Sequence, residues 1–193
     1  MVNSLDKNAR LLRYQDSFNW LVDAGVALPC YNTSAPVIPL ALNEKRSLFK
    51  LFSNDVGLLC AASMSDIQFD LLQGDVSVNL GSVLENAIAQ ELQCNDYELR
   101  YYDSNKLGEV DFVIKMGNQV VLVEAKTGND YMEHTALNNV MKVEDWNIGK
   151  AFVLCKGNVK QKEKITYIPW YMVMFIKQKH ISKMIYEIQV NNM

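Results

Sequence analysis

The pattern of apolar and polar residues predicts a β-hairpin between residues 108 and 127. Two runs rich in Val, Ile, Leu and Phe flank Gly117 and Asn118, a pair that supplies the positive φ angles of tight hairpin turns. Because side chains alternate between the two faces of a strand, one face of this hairpin is predicted to be apolar. That face carries Phe112, Ile114, Val121, Val123 and Ala125.

The other face of the predicted hairpin is charged. With a two-residue loop, Asp111 lies opposite Glu124, and Glu109 lies opposite Lys126. Opposed side chains are about 5 Å apart at Cβ, and like charges at that distance repel. A divalent metal ion bound between Asp111 and Glu124 is the expected compensation. The alternative is an exposed sheet face on which the charges only pair across the strands, Glu109 with Lys126.

Outside the hairpin, the spacing of apolar residues predicts a mixture of helices and strands, and therefore an α/β fold. A strand at residues 150–155 is expected to run parallel to one hairpin strand through a crossover connection. Helices are predicted at residues 11–22, 55–72, 83–92, 131–142 and 171–176, and further strands at residues 26–31, 37–42, 48–52 and 97–102.

The helix predicted at residues 83–92 begins with a capping signal. Ser82 is the predicted N-cap, and Glu85 follows three residues later, where it completes a capping box. The residues alone favour this structural role for Glu85. A functional role beside the carboxylates of the hairpin is the alternative.

The length of the chain bounds the number of domains. Its 193 residues, 49% of them hydrophobic, can form one domain or one domain with a small companion. We predict an N-terminal segment at residues 1–78 and a second domain at residues 79–193, which contains the hairpin. A helix followed by two short proline-edged strands is typical of a winged-helix-like unit, and a generic α+β cap fits the N-terminal segment equally well.

Several kinds of site are excluded by what the sequence lacks. The four cysteines are widely separated, which argues against a zinc site and, without a visible signal peptide, for thiols kept reduced in the cytoplasm. With two histidines, histidine-based catalytic triads and zinc sites are largely excluded. There is no G-x-x-x-x-G-K-[ST] loop, so no ATP site is predicted in this chain. No apolar run is long enough to span a bilayer, and no membrane partner is expected. An enzyme of this sequence would have to work with carboxylates and lysine.

The distribution of charge is more informative than the net charge of −3, which excludes a generally basic nucleic-acid coat. Acidic residues are concentrated in residues 84–149, whereas lysines dominate residues 150–183. A lysine-rich flank beside an acidic site is compatible with a phosphate-binding surface, and a solvated lysine surface explains it equally well. The predicted nucleic-acid-binding residues are Lys156, Lys160, Lys162 and Lys164.

The charged hairpin has the residue pattern of a PD-(D/E)xK nuclease core, with Asp111 as the first acid and Glu124-Ala125-Lys126 as the second half. Carboxylate oxygens suit Mg²⁺ or Mn²⁺, which prefer hard oxygen ligands and lower the pKa of a bound water. A neighbouring lysine can position or help to deprotonate that water and offset the charge of a phosphate.

A wider set of motifs resembles one family. In chain order the motifs are Asp55-Val-Gly-Leu-Leu, Gly81-x-x-Leu-Glu-Asn, Gly108-Glu-Val-Asp-Phe-Val, Val123-Glu-Ala-Lys and Ile168-Pro-Trp-Tyr. They resemble the uncharacterised domain that follows an AAA-type ATPase module in prokaryotic ATP-binding proteins. The resemblance implies a restriction-endonuclease-like α/β/α core with a mixed sheet, preceded by a small winged-helix-like piece. It also implies that this chain is a C-terminal fragment or an excised domain of a longer ATPase.

The resemblance implies a metal site formed by Asp111, Glu124 and a supporting acid, Glu85, with Lys126, Asp111 and Glu124 as catalytic residues. The expected activity is Mg²⁺- or Mn²⁺-dependent hydrolysis of phosphodiester bonds in nucleic acid, with DNA favoured. The alternative is a catalytically inactive nuclease-fold module that binds DNA or protein for its ATPase partner domain. A purely structural oligomerisation domain is a third interpretation.

Overall fold

The structure is a computed structural model that describes residues 11–64 and 80–178. The helices are α1 (Leu11–Asp23), α2 (Val56–Met64), α3 (Gly81–Cys94) and α4 (Thr135–Met141), with 3-10 helices at Leu40–Asn43, Glu144–Trp146 and Trp170–Phe175. The strands are β1 (Ala27–Thr33), β2 (Glu44–Ser53), β3 (Arg100–Ser104), β4 (Gly108–Val110), β5 (Phe112–Met116), β6 (Gln119–Ala125), β7 (Ile148–Cys155), β8 (Lys160–Lys162) and β9 (Ile165–Pro169). The predicted helical residues 65–72 lie outside the described ranges.

The strands form two mixed sheets, which confirms the predicted α/β class. The first sheet has the order β2-β1-β3-β4, with β1 and β3 parallel and the two outer pairs antiparallel. The second has the order β5-β6-β7-β9-β8, in which β6, β7 and β9 run parallel. Within the described part of the chain, no helix is both long enough and apolar enough to cross a membrane.

The predicted hairpin is confirmed. Strands β5 and β6 are antiparallel, with Met116 opposite Gln119 and Phe112 opposite Val123. Gly117 in the turn has a φ of 62°, a conformation that glycine adopts without steric cost. The predicted parallel strand is also confirmed, because β7 pairs in parallel with β6.

The prediction that Glu109 lies opposite Lys126 is wrong. The strand that the sequence predicts from residue 108 onward is interrupted by a bend at Asp111, and only the part after the bend pairs with β6. The part before the bend, β4, pairs with β3 and places Glu109 opposite Asp103. Alternation of side chains continues through a bend of this kind, so the pattern alone cannot show that the strand changes partner.

Two other local predictions are wrong. A strand is predicted at residues 37–42, but residues 37–39 form no strand and Leu40–Asn43 is a 3-10 helix. Pro36 and Pro39 lack the N–H groups that a strand would need there. Residues 171–176 were expected to form an α-helix, and the structure has the 3-10 helix Trp170–Phe175 there. Neither change alters the layers of the fold.

Strand β6 is an internal strand of the second sheet and is buried on both of its faces. One face packs with α3, and the buried residues there include Ile88, Leu92, Phe112, Ile114, Val121 and Val123. The other face packs with α4, and the buried residues there include Leu137, Val140, Val113, Val120, Leu122 and Val153. Helices on both faces explain why the hairpin strands are almost continuously apolar.

The N-terminal strands share their core with the hairpin. Phe52 of β2 contacts Phe112 of β5, with ring centroids 5.6 Å apart. Leu28 and Cys30 of β1 belong to the same buried cluster. The first sheet therefore contains strands from both sides of the predicted boundary at residues 78 and 79, which itself stays a prediction.

Replacement of Gly108 by alanine should destabilise the fold strongly. Gly108 has a φ of 92°, and an added Cβ would lie 2.8 Å from the Cβ of Ala136 in α4. Left-handed backbone strain of about 1–2 kcal/mol adds to an overpacking cost of about 1–3 kcal/mol. We expect Gly108→Ala to lose roughly 3 kcal/mol in the free energy of unfolding, measured by urea titration.

Gly117→Ala is the matched control for this substitution. Gly117 also has a positive φ, of 62°, but its added Cβ would have nothing within 4 Å. Only the strain of about 1–2 kcal/mol should remain. Equal losses of unfolding free energy in the two variants would show that the close contact of residue 108 with Ala136 does not contribute to the destabilisation.

Candidate metal centre

Four carboxylates come together where the two sheets meet. Asp111 is the bend between β4 and β5, Glu109 lies in β4, Glu124 lies near the end of β6, and Glu85 projects from α3. Ligand oxygens of Glu85, Glu109 and Asp111 lie within 4.8 Å of one another. The set that lies closest together thus includes Glu109, whereas the predicted metal set was Asp111, Glu124 and Glu85.

Asp111, the residue at the bend, is hydrogen-bonded to the end of strand β6. The Ala125 amide donates a hydrogen bond of 2.7 Å to Asp111 Oδ2. Burial, and then the negative charges of Glu124 and Glu85, raise the pKa of Asp111 to about 7, although the Ala125 hydrogen bond and Lys50 oppose this rise. The repulsion between Asp111 and Glu124 that the sequence predicts is therefore present, even though the bend takes Asp111 out of the paired strand.

Glu124 has an oxygen without a partner. The residue is only 5% exposed, and its Oε2 atom is buried without a hydrogen-bond partner among the described residues. Its Oε1 atom pairs with Lys126 Nζ at 2.9 Å. A buried carboxylate oxygen without a partner is costly, and a bound cation is one way to satisfy it.

The predicted capping role of Glu85 is wrong. The N-cap position of α3 is Leu80, and no side chain caps the helix. Since the helix begins at Gly81, Ser82 lies inside its first turn and Glu85 lies beyond the capping position. Glu85 instead accepts a hydrogen bond of 2.7 Å from Lys50 Nζ. The structure places Glu85 beside Glu109 and Asp111, as the alternative interpretation requires, and the functional role of Glu85 stays a prediction.

Lys50 is the residue of this cluster that the sequence did not reveal. Its Nζ atom lies 2.7 Å from Glu85 and 2.5 Å from Glu109, and 5.1 Å from the centre of the Tyr101 ring. Burial alone would lower the pKa of Lys50, but its hydrogen bonds to Glu109 and Glu85 raise the pKa above its ordinary value. The only signal in the sequence was a lysine inside the otherwise apolar strand predicted at residues 48–52.

The main chain of Lys126 is held from two sides. Its amide donates to the carbonyl of Leu154 at 2.8 Å, and its carbonyl accepts a hydrogen bond of 3.0 Å from Trp170 Nε1. The side chain is about one-third exposed and pairs with Glu124. Trp170 belongs to the Ile168-Pro-Trp-Tyr motif, and its position explains what that motif contributes to the site.

The residues at this junction fit a hard divalent cation. Every donor is a carboxylate oxygen, which suits Mg²⁺ or Mn²⁺ and not a softer metal. Asp111, Glu85 and Glu109 would hold the ion, and the unsatisfied oxygen of Glu124 is available beside them. Close, buried like charges are unfavourable until a cation compensates them.

The four predicted nucleic-acid-binding lysines are not equivalent. Lys156 directly follows β7, at the same sheet edge as Lys126. Lys160 and Lys162 are exposed on the edge strand β8. Lys164 lies at the start of β9 and its Nζ donates to the carbonyl of Ile148, at the opposite sheet edge. An exposed edge strand that carries lysines also avoids pairing with other chains, so β8 has a structural explanation as well.

Asp111→Asn should stabilise the metal-free protein in a pH-dependent manner. Because the pKa of Asp111 is about 7 in the folded state and 3.8 in its unperturbed form, ionisation between about pH 4 and pH 7 destabilises the fold. Asparagine cannot ionise, and its oxygen can still accept the Ala125 amide. We expect a gain of up to about 4 kcal/mol at about pH 8 and almost none at about pH 4.

Urea unfolding in the presence of a chelator, at about pH 4, 6 and 8, measures this difference. Asp16→Asn is the control, since Asp16 is an exposed carboxylate on α1, which carries none of the site residues. A gain for Asp111→Asn that does not change with pH would contradict the electrostatic explanation.

Comparison with known proteins gives one match. Residues 80–173 match the model of a family described as Domain of unknown function (DUF4143). The matched residues include Glu85, Glu109, Asp111, Glu124 and Lys126. The strand that carries Lys50 lies outside them. No curated protein and no solved structure matches the chain significantly. The resemblance to an uncharacterised domain is confirmed to that extent, and residues 80–173 are similar to DUF4143, a domain of unknown function.

Proposed function

We propose that this chain hydrolyses phosphodiester bonds in nucleic acid, with DNA as the favoured substrate, in a reaction that depends on Mg²⁺ or Mn²⁺. The observation that carries the proposal is the pair of acids beside Lys126, the buried Glu124 and the partly buried Asp111. Asp111 is strained by neighbouring negative charge, and Glu124 has an unpartnered oxygen. Perturbed carboxylates of this kind are concentrated at functional sites.

Each residue of the site has a role in this proposal. Asp111 and Glu124 would hold the metal through carboxylate oxygens, together with Glu85 and Glu109, whose oxygens lie within 4.8 Å of one another and of Asp111. The metal supplies charge stabilisation for the phosphate and lowers the pKa of a bound water. Lys126 would donate hydrogen bonds to the attacking water or to a phosphate oxygen. Its ion pair with Glu124 keeps the ammonium group beside the site. In the reaction the attacking water would lose one proton to solvent as its oxygen bonds to phosphorus, the ester P–O bond would break, and the leaving oxygen would take up a proton from solvent.

The layers of the fold support the same proposal. The second sheet is mixed, has a helix on each face, and carries the acids at one end of its hairpin, as a restriction-endonuclease-like core would. The N-terminal α1, β1 and β2 are compatible with a reduced winged-helix-like piece. In this proposal, an ATPase module of the full-length protein would be the partner domain of this chain.

The edge of the sheet offers a path for a phosphate backbone. Strands β6, β7 and β9 are parallel, and their carboxyl ends are followed by Lys126, Lys156 and Trp170. Ligands of α/β proteins commonly bind at the carboxyl ends of parallel strands. Lys156 is therefore the surface lysine best placed to contact nucleic acid bound at Lys126.

A specific observation favours the second candidate, a catalytically inactive module that binds DNA or protein for its ATPase partner domain. Lys50 already pairs with Glu85 and Glu109, and Lys126 pairs with Glu124. These two lysines neutralise much of the acidic cluster without any metal. A site that is satisfied by internal ion pairs needs no ion to be stable.

Lys126→Ala should separate catalysis from binding. If Lys126 acts on the attacking water or the phosphate, its loss should lower the cleavage rate by about 10²–10⁴-fold. Affinity for Mn²⁺ should change little, since no carboxylate is removed. The measurements are nicking of supercoiled plasmid and cleavage of single-stranded and branched oligonucleotides with Mn²⁺, together with calorimetric titration of the ion.

Lys115→Ala is the matched control, because Lys115 is exposed at the other end of the same hairpin. It should cleave at the wild-type rate. Cleavage that survives undiminished in Lys126→Ala would place the activity at another site or in a contaminant. Absence of cleavage by the wild type, with Mn²⁺ bound, would favour the inactive module.

The salt dependence of DNA binding should distinguish Lys156 from Lys164. Each phosphate contact contributes about 0.9 to the slope of log affinity against log salt on duplex DNA. Lys156→Ala should lower that slope by about 0.9. Lys164→Ala should leave it unchanged, since Lys164 lies five residues of β9, roughly 17 Å, from the site edge. Equal effects of both substitutions would show that the lysines act only as a diffuse charge.

A further inference from the structure

Lys50 reaches the acidic cluster from a different part of the chain. It lies in β2, opposite Cys30 of β1, and its side chain is about one-quarter exposed. The matched residues 80–173 supply every carboxylate of the cluster, and the N-terminal sheet supplies this ammonium group. The charge balance of the site therefore depends on both parts of the chain.

The contacts of Lys50 are those that a metal ion would need. Its Nζ atom is within hydrogen-bond distance of Glu85 Oε1 and of Glu109 Oε1. The same two residues, with Asp111, form the group whose oxygens lie within 4.8 Å of one another. Two cations cannot share these oxygens without repulsion in a partly buried, low-dielectric position.

We propose that Lys50 is an internal counter-ion that competes with the divalent cation for Glu85 and Glu109, and so sets the metal affinity of the site. This inference rests on the metal site of the proposed function. Lysine suits the role because its ammonium group is a compact charge on a flexible stem, which can withdraw when an ion arrives. The partial exposure of the side chain leaves room for that withdrawal.

The same contacts have a second effect in the absence of metal. Three acids close together repel one another, and Lys50 offsets part of this repulsion. Lys50 therefore stabilises the metal-free fold while it opposes metal binding. Removal of the charge should therefore lower the stability of the metal-free protein and raise its affinity for the metal. A residue that only packs would not produce this combination.

Lys50→Met removes the charge and keeps most of the side-chain volume. We expect the dissociation constant for Mn²⁺, measured by calorimetry on the full chain, to fall by at least about tenfold. Each charge-assisted hydrogen bond that need not be broken is worth roughly that factor. The urea midpoint should fall without metal and recover with saturating Mn²⁺. Lys45→Met is the matched control, because Lys45 is an exposed lysine on the same strand.

Lys50→Arg is a second variant that keeps the charge and tests the proposal if Lys50→Met folds poorly. The guanidinium group binds carboxylates in a fixed, forked geometry, so Mn²⁺ affinity should be unchanged or weaker than in the wild type. Tighter Mn²⁺ binding by Lys50→Arg would overturn the proposal. So would Lys50→Met affinity equal to or weaker than that of the wild type.

The outcomes also separate this proposal from the proposed function. Mn²⁺ binding by Lys50→Met but not by the wild type would support competition by Lys50 and count against metal-dependent catalysis in the native chain. Equal binding by both would retain the metal site and overturn competition. Absence of binding in both proteins would overturn both proposals.

Discussion

The hydrogen bond from the Ala125 amide to Asp111 connects the two sheets at the point where the candidate site lies. It ties the bend after β4 to the end of β6, so the strand can leave one sheet and enter the other at a defined point. The residue that makes this bond is also a partly buried carboxylate whose pKa is raised by its surroundings. One side chain thus joins the sheets and places negative charge at their junction, and the other charged groups are arranged around it.

Two lysines compensate this charge from opposite directions. Lys126 comes from the strand end and pairs with Glu124, while Lys50 comes from the N-terminal sheet and pairs with Glu85 and Glu109. Glu124 is buried, so the loss of Lys126 would leave a buried charge without its partner, which is strongly destabilising. Glu85 and Glu109 are partly exposed, so the stabilisation from Lys50 is smaller. In the proposed function they differ. Lys126 acts on the substrate, and Lys50 determines how readily the cation enters.

The position of the N-terminal strands therefore affects the candidate site as well as the packing of the fold. Strand β1 pairs in parallel with β3, and Phe52 of β2 packs on Phe112 beside the acidic bend. These contacts place Lys50 at the cluster to within hydrogen-bond distance. A change in the position of the N-terminal sheet would alter the charge balance of the candidate metal centre, because the cation that it contributes is bonded to two of the acids.

The sequence by itself determined the hairpin, its register and the proximity of Asp111 and Glu124, because turn residues and side-chain alternation act over short distances. It also indicated the parallel strand β7, since a crossover of suitable length follows the hairpin. It could not show that the strand bends at Asp111, that Glu85 pairs instead of capping its helix, or that Lys50 lies among the acids. Those features arise from contacts between residues far apart in the chain, such as Lys50 and Glu109, and only the packing of two sheets and a helix brings such side chains together.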